Sequence, residues 1–198
     1  FMAIEAVIFD VGNVLIEERW DLVEKELRKI TPDVTLSQFR AAVKGKHWKD
    51  YSEGRIQPAE FWDYIAAEIE IDKKYSNKLS SVFSRVWSPD DYSVLDSLKH
   101  GIKTYVLTNS TPENEEVFEK IVILLDKKYY SHRIGVSKPD PNAYLMILSE
   151  QDLIPQKTLF VDDKQINLEA AAKLGIVTEL CQSPQDLGAI LAKYDLLR

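Results

Sequence analysis

The stretch AIEAVIFDVGNVLIEE, residues 3–18, decides how the rest of the chain is read. Ala6 to Phe9 form an unbroken apolar run, as expected of a strand covered on both faces, and the run stops on a single carboxylate, Asp10. A charge at the end of a buried strand is costly unless solvent or a specific partner holds it there. Four later segments resemble this strand: TYVLT (104–108), KYYSH (128–132), TLFVD (158–162) and VTELC (177–181). Helix-period segments lie between them, at 91–101, 112–125, 141–153 and 167–175, with Pro near the start or Gly just past the end. Alternating strands and helices predict an α/β fold whose parallel sheet is covered by helices on both faces.

Residues 17–88 break that rhythm. The helix-period segments WDLVEKELRKI, LSQFRAAVKGKHW, PAEFWDYIAAEIE and NKLSSVFSRVW follow one another with no strand among them. The chain is expected to leave the sheet after its first strand and build an inserted α-helical cap over residues 17–88. It returns near Ser88-Pro89 to a core made of residues 1–16 and 89–198. Ligands of open parallel sheets bind beyond the carboxyl ends of the strands. An insertion leaving from the carboxyl end of the first strand would hang over that place as a lid.

With 198 residues, 45% of them hydrophobic and 29% charged, the chain has room for one well-buried domain and a smaller insertion. Its formal net charge of −7 argues against a nucleic-acid surface, because a phosphate polymer would meet a negative field. No apolar run approaches the roughly 18 residues that span a bilayer, and no secretory leader is apparent, so no membrane partner is expected. The one cysteine, Cys181, allows no internal disulfide and reads as a small buried hydrophobe, which fits a cytoplasmic setting. A monomer or homodimer is expected.

The polar residues that close the strands carry the chemistry. The first strand ends in Asp10, the second in Thr108-Asn109-Ser110, the fourth in Asp162-Asp163, and Lys138 lies in the loop GVSKPDP after the third. In a parallel sheet these groups converge on one edge. Crowded carboxylates raise one another's pKa unless a cation neutralises them, and oxygen donors without His or Cys suit a hard ion, Mg²⁺. Such an ion, a hydroxyl, loop amides and a lysine together suit a phosphoryl group. A carboxylate placed in line, with Asp10 the natural candidate, could attack phosphorus and form an aspartyl phosphate.

Four ordered motifs, FDVGNV, LTNS, SKPDP and VDDKQIN, resemble those of the haloacid dehalogenase superfamily of aspartate-nucleophile phosphotransferases. The resemblance covers residues 5–16 and 89–181 and implies a Rossmann-like sheet with an inserted cap. It makes Asp10 the nucleophile and a metal ligand, with the Gly12 backbone carbonyl as a second ligand. Thr108 and the Asn109 amide would hold phosphate oxygens, and Lys138 would bridge phosphate and Asp10. Asp163 falls at the family's direct metal ligand, with Asp162 acting through water or as a further ligand, and Asn167 where many members carry another carboxylate.

One departure stands out. Most phosphatases of the superfamily carry Asp two residues after the nucleophile, as acid for the leaving alcohol and base for water; here that residue is Gly12. Such help is typically worth about 10² to 10⁴ in rate. The FDxGNV subgroup, which resembles sugar-phosphate phosphatases of the glucose-1-phosphate type, shares this feature. An anomeric phosphate has a better leaving group and needs less protonation, and Glu17 or Glu18 could supply a proton from another direction. Two alternatives stay open: a dehalogenase or epoxide-hydrolase-like hydrolase, or a weakly active phosphate-binding scaffold. Asp162-Asp163 argues against the former, and the set Asp10, Lys138 and Asp163 against the latter. Within the cap, Arg55, His47 and Trp48 are candidate substrate contacts. The expectation is a Mg²⁺-dependent phosphatase of a small phosphorylated metabolite, with sugar phosphates the leading class.

Overall fold

A computed structural model describes residues 3–87, 93–122 and 124–198. Strands β1 (Ala6–Phe9), β2 (Lys103–Thr108), β3 (Lys127–Tyr130), β4 (Thr158–Asp162) and β5 (Val177–Leu180) form one parallel sheet in the order β3-β2-β1-β4-β5. The chain starts in the middle, builds outward through β2 to β3, then crosses to the other side for β4 and β5. This reversal beside β1 opens a crevice at the strands' carboxyl ends. Phe9 is level with Val106 and Val161, and the Asp10 N–H donates to the Val161 carbonyl at 2.9 Å. Asp10 and Asp162 therefore leave the sheet side by side.

The helices are α1 (Trp20–Ile30), α2 (Leu36–Val43), α3 (Trp48–Ser52), α4 (Pro58–Glu68), α5 (Ser76–Phe83), α6 (Ser93–Asp96), α7 (Pro112–Val122), α8 (Ser131–Ile134), α9 (Pro141–Glu150), α10 (Gln165–Ala172) and α11 (Leu187–Lys193). Local chemistry starts several of them. Thr35 and Gln38 close a reciprocal capping box at α2, and Asp140 accepts from the Asn142 N–H ahead of α9, with Pro141 in its first turn.

Strand periodicity splits the core in two. Val7, Phe9, Val106, Leu159 and Val161 share one face with Phe118 and Val122 of α7 and Leu187 and Leu191 of α11. Ile8, Tyr105, Leu107 and Phe160 share the other with Tyr144 and Ile147 of α9 and Leu168 of α10. A third apolar cluster, including Leu27, Phe39, Tyr51, Phe61, Trp62, Leu79 and Phe83, is drawn from residues 20–86, mostly on α1–α5. That helical segment is fastened to the sheet side by buried polar contacts. Glu113 of α7 accepts from Trp62 Nε1 at 2.6 Å, Ser80 Oγ at 3.2 Å and the Tyr51 hydroxyl. Glu53 accepts from the Ser137 hydroxyl, and the Ser131 hydroxyl donates to the Ser52 carbonyl.

Several boundaries differ from expectation. The strand expected over 128–132 ends at Tyr130, because Ser131 turns the chain into α8, which Gly135 closes at φ +74°. The helix expected over 36–48 divides after Val43 at Gly45, and the stretch before Trp87 tightens into a 3₁₀ turn at 84–86. Of the helix expected over 91–101 the described part ends at Asp96, and the return at Ser88-Pro89 lies outside the described residues. Helix α11 was not expected, although Ser183 and Asp186 form a capping box just ahead of Leu187, Ile190 and Leu191. No described helix is long and apolar enough to cross a membrane.

Candidate active site

The strand ends assemble one buried ionic cluster. Asp10, Lys138 and Asp162 are each 5% exposed or less. The Lys138 ammonium sits 3.0 Å from Asp10 Oδ1 and donates to Asp162 Oδ2 at 2.6 Å, while the Val11 N–H donates to Asp10 Oδ1 at 2.7 Å. One carboxylate oxygen from each of Asp10, Asp162 and Asp163 lies within 4.8 Å of the others. Three carboxylates around one buried ammonium leave the cluster short of positive charge. Burial raises the pKa of Asp10, and Asp162 pushes the same way; the Lys138 and Lys164 ammoniums oppose them without prevailing. The Lys138 ammonium rises above its ordinary value, because Asp10 and Asp162 outweigh the cost of burying it.

The two adjacent carboxylates of β4's end have different tasks. Asp162 accepts from the Lys164 N–H at 2.8 Å, from Asn167 Nδ2 at 2.9 and 3.1 Å, and from Lys138. Its capacity of about four lone-pair sites is used up. Asp163 accepts from Asn13 Nδ2 at 3.1 Å through Oδ2, while its Oδ1 is buried with no hydrogen-bond partner among the described residues. Among the described residues only the exposed Lys164 ammonium, 3.7 Å away, faces this oxygen. A carboxylate oxygen without a hydrogen bond beside an electron-rich cluster is a place for a cation, and an all-oxygen donor set fits a hard one. Asn167 stands behind Asp162 and orients it, held in turn by the Tyr144 hydroxyl, which donates to the Asn167 carbonyl at 3.0 Å.

Asn109 and Asn13 do more than their positions in the sequence suggest. The Asn109 side chain donates to the Lys138 carbonyl at 2.8 Å and accepts from the Lys138 N–H at 2.9 Å, tying the β2 loop to the lysine's own backbone. Thr108 is buried at the end of β2, and the Ser110 N–H beyond it donates to Ser131 Oγ at 2.9 Å. Asn13 adopts φ +58°, a left-handed conformation that asparagine tolerates, which lets its amide reach Asp163 while its carbonyl accepts from the Glu18 N–H. That tolerance was the available sequence signal for Asn13.

Other expected residues stay outside the cluster. Glu17 is exposed and, among the described residues, makes no side-chain hydrogen bond or ion pair; Glu18 is engaged by Trp20 Nε1 at 3.2 Å and Arg40 at 3.8 Å. Arg55 is paired with Asp50 and Glu53 at the Glu53-Gly54 turn, where Glu53 meets the loop preceding Lys138. The His47 ring stacks on Tyr64 with centroids 4.3 Å apart. Trp48 instead carries the Lys44 ammonium 3.7 Å from its ring centroid. Burial of the ammonium pushes its pKa down to about 8, and Glu18, Lys164, Arg40 and Asp10 are all within its electrostatic range. Lys44 is thus a basic group of the helical segment within electrostatic range of Asp10, and a lone lysine in a helix pattern gave no hint of it.

Gly12 has a neighbour that local reading could not supply. The edge of the Trp87 ring packs on it so closely that a Cβ at Gly12 would lie 2.6 Å from Cη2 and 3.1 Å from Cζ3.

Comparison with known proteins places this arrangement in a family. The chain is 27% identical over 182 residues to a sesquiterpene phosphatase of Aspergillus oryzae, covering 87% of each. It is 24% identical over 194 residues to a D-ribitol-5-phosphate phosphatase of Bacteroides thetaiotaomicron, covering 88% of this chain and 90% of that one. Among solved structures, a haloacid-dehalogenase-family enzyme of Bacteroides thetaiotaomicron superposes with a TM-score of 0.82 at 22% identity, over 96% of this chain and 98% of that one. The same enzyme in complex with magnesium and inorganic phosphate superposes with a TM-score of 0.75 at 23% identity, over 90% and 94%. The sequence model of the haloacid dehalogenase-like hydrolases matches residues 4–175, and the chain belongs to that family.

Proposed function

We propose that this hydrolase is a Mg²⁺-dependent phosphatase that opens phosphate monoesters through an aspartyl phosphate. The carrying observation is the cluster in which Lys138 pins the Asp10 carboxylate while Asp163 keeps a buried oxygen that accepts no hydrogen bond among the described residues and has the Lys164 ammonium only at 3.7 Å. Asp10, the Gly12 carbonyl and Asp163 would hold Mg²⁺, which when bound supplies charge neutralisation and polarises the phosphoryl group. Thr108 and the Asn109 backbone would receive phosphate oxygens, and Lys138 would bridge phosphate and nucleophile. Asp10 then attacks phosphorus, the ester oxygen departs with its electron pair, and water cleaves the acyl phosphate.

The helical segment 17–88 serves as the cap, excluding bulk water over the site. Its packing as a separate apolar cluster supports that division. A small phosphorylated metabolite is the substrate class, and sugar phosphates lead it: the relatives include the ribitol-phosphate enzyme and a phosphorylated-carbohydrate phosphatase of Thermotoga maritima, 26% identical over 182 residues. The free, buried Cys181 is in keeping with a cytoplasmic setting. A dehalogenase reading leaves the Asp163 carboxylate without a cation to hold, because halide departs without a cation's help.

The test is a panel of sugar and polyol phosphates assayed with Mg²⁺ and with EDTA, using wild type and Asp10→Asn. Turnover that needs both Mg²⁺ and Asp10 supports the reading. Metal-independent release of halide, or phosphate release that survives Asp10→Asn, overturns it.

A further inference from the structure

We propose that Trp87 is a specificity-determining residue: by filling the space beside Gly12 it excludes an acid–base side chain, restricting the enzyme to phosphates whose leaving oxygen departs without a proton. This rests on the phosphatase reading above.

The geometry is strict. A single Cβ at Gly12 would lie 2.6 Å from the Trp87 ring, so no carboxylate can occupy that position while the ring stays. The ring is held from several directions. Trp87 bridges to the Glu18 backbone, the Arg19 N–H donates to the Val86 carbonyl at 2.6 Å, and the Trp87 ring meets Phe118 edge-on at 5.2 Å. It also packs against both the sheet-side core and the helical core, so it is wedged where the two meet. Gly12 is therefore one half of a fitted pair.

The remaining groups do not make good the loss. Asp162 is saturated by donors, Asp163 faces Asn13 and Lys164, Lys138 is shared between two carboxylates, and Glu17 is exposed and, among the described residues, unpaired. In the first step the P–O ester bond breaks, and its electron pair leaves on an oxygen that takes a proton only afterwards, from water. In the second, water attacks phosphorus, the bond to Asp10 breaks, and the proton passes to the departing phosphate or solvent. Among the described residues of the Asp10 cluster, neither step finds a free proton carrier. Substrates with an acidic leaving oxygen, anomeric or enolic rather than ordinary alkyl, tolerate the first deficit. The second lets the aspartyl phosphate accumulate.

Aryl phosphates of graded phenol acidity test this with Mg²⁺ present, by stopped-flow phenol release. Wild type should give a burst, with burst rates falling about 10²-fold or more from the most to the least acidic phenol, the range that general acid help otherwise covers. Gly12→Asp alone should lower activity, because the ring blocks it, and Trp87→Ala alone should keep the steep dependence. The pair should flatten it to less than about tenfold and remove the burst. Thermal melts establish that each variant is folded, and Trp87→Leu with Gly12→Asp replaces the pair if Trp87→Ala is not. A shallow wild-type dependence overturns the proposal and points to a hidden acid, Lys44 first. An equally steep dependence in both folded pairs overturns it too. No phosphate release or phosphoenzyme from any ester overturns the phosphatase reading itself, and the inference with it.

Discussion

Asn109 clasps Lys138 by its backbone, donating to the lysine's carbonyl at 2.8 Å and accepting from its N–H at 2.9 Å. The loop after β2 thereby sets where the ammonium enters the Asp10–Asp162 gap. Asn109→Ala should lower kcat/KM by about 10²-fold, the scale of a misplacement near 1 Å, with Mg²⁺ affinity unchanged. Steady-state kinetics beside a metal titration check it, and an unchanged kcat/KM would show that the clasp does not position Lys138.

Lys138 neutralises two buried carboxylates, so removing it costs more than a surface ion pair would. Lys138→Met should destabilise the metal-free protein by about 3–5 kcal/mol, because Asp10 and Asp162 are left uncompensated. Urea unfolding in EDTA measures it. Adding Mg²⁺ should recover part of the loss, since the ion would supply positive charge to the same carboxylates.

Asp162 and Asp163 should separate in function. Asp163→Ala should raise the Mg²⁺ concentration for half-maximal activity by about 10-fold or more while leaving the fold intact, for it removes the buried oxygen that accepts no hydrogen bond among the described residues. Asp162→Ala should act mainly on stability, because it strips partners from Lys138, Lys164 and Asn167. Equal effects on Mg²⁺ requirement would contradict the division.

The helical segment's hold on the sheet side should weaken in acid. Glu53 has a side chain 4% exposed, and although burial pushes its pKa up, the Ser137 hydroxyl, Arg55 and Lys49 hold it below the ordinary 4.5. A depressed carboxylate contributes stability above 4.5 that is lost as the pH falls through its lower folded value. Thermal melts from pH 6 down to about pH 3 should fall less steeply for Glu53→Gln than for wild type. Parallel curves would assign the acid loss elsewhere.

Lys44 and Arg55 offer a contrast within one segment. Lys44→Gln should raise KM about tenfold with kcat nearly unchanged, because an ammonium within electrostatic range of Asp10 would attract a bound phosphate before the chemical step. Arg55→Gln should leave KM within about twofold, because its guanidinium is already taken by Asp50 and Glu53. Both are read from the same substrate saturation curves.

Much of this protein was legible in its sequence. Unbroken apolar runs such as Ala6–Phe9 and Leu159–Val161 mark strands covered on both faces, and intervening helix patterns require a parallel sheet. Parallel strands end on one edge, so Asp10, Thr108 and Asp162 had to meet there, with Lys138 in the loop before α9. These are consequences of local periodicity and one topological rule. Where the local signal was short or shared, as at Ser131, Gly45 and the Ser183–Asp186 box ahead of α11, the boundaries moved or an element was missed.

Only the tertiary structure decided which neighbour each polar atom found. Nothing in the VDD triplet tells that Asp162 is consumed by Lys138, Lys164 and Asn167 while Asp163 keeps a buried oxygen without a hydrogen bond among the described residues. Nothing near Arg55 tells that it is committed to a turn, or near Lys44 that it comes within range of Asp10. Above all, the glycine two residues after Asp10 could be read from the chain, but the indole packed against it comes from the far end of the helical segment. Contacts between distant residues depend on how the two cores seat against each other, and that packing leaves no trace in a local pattern.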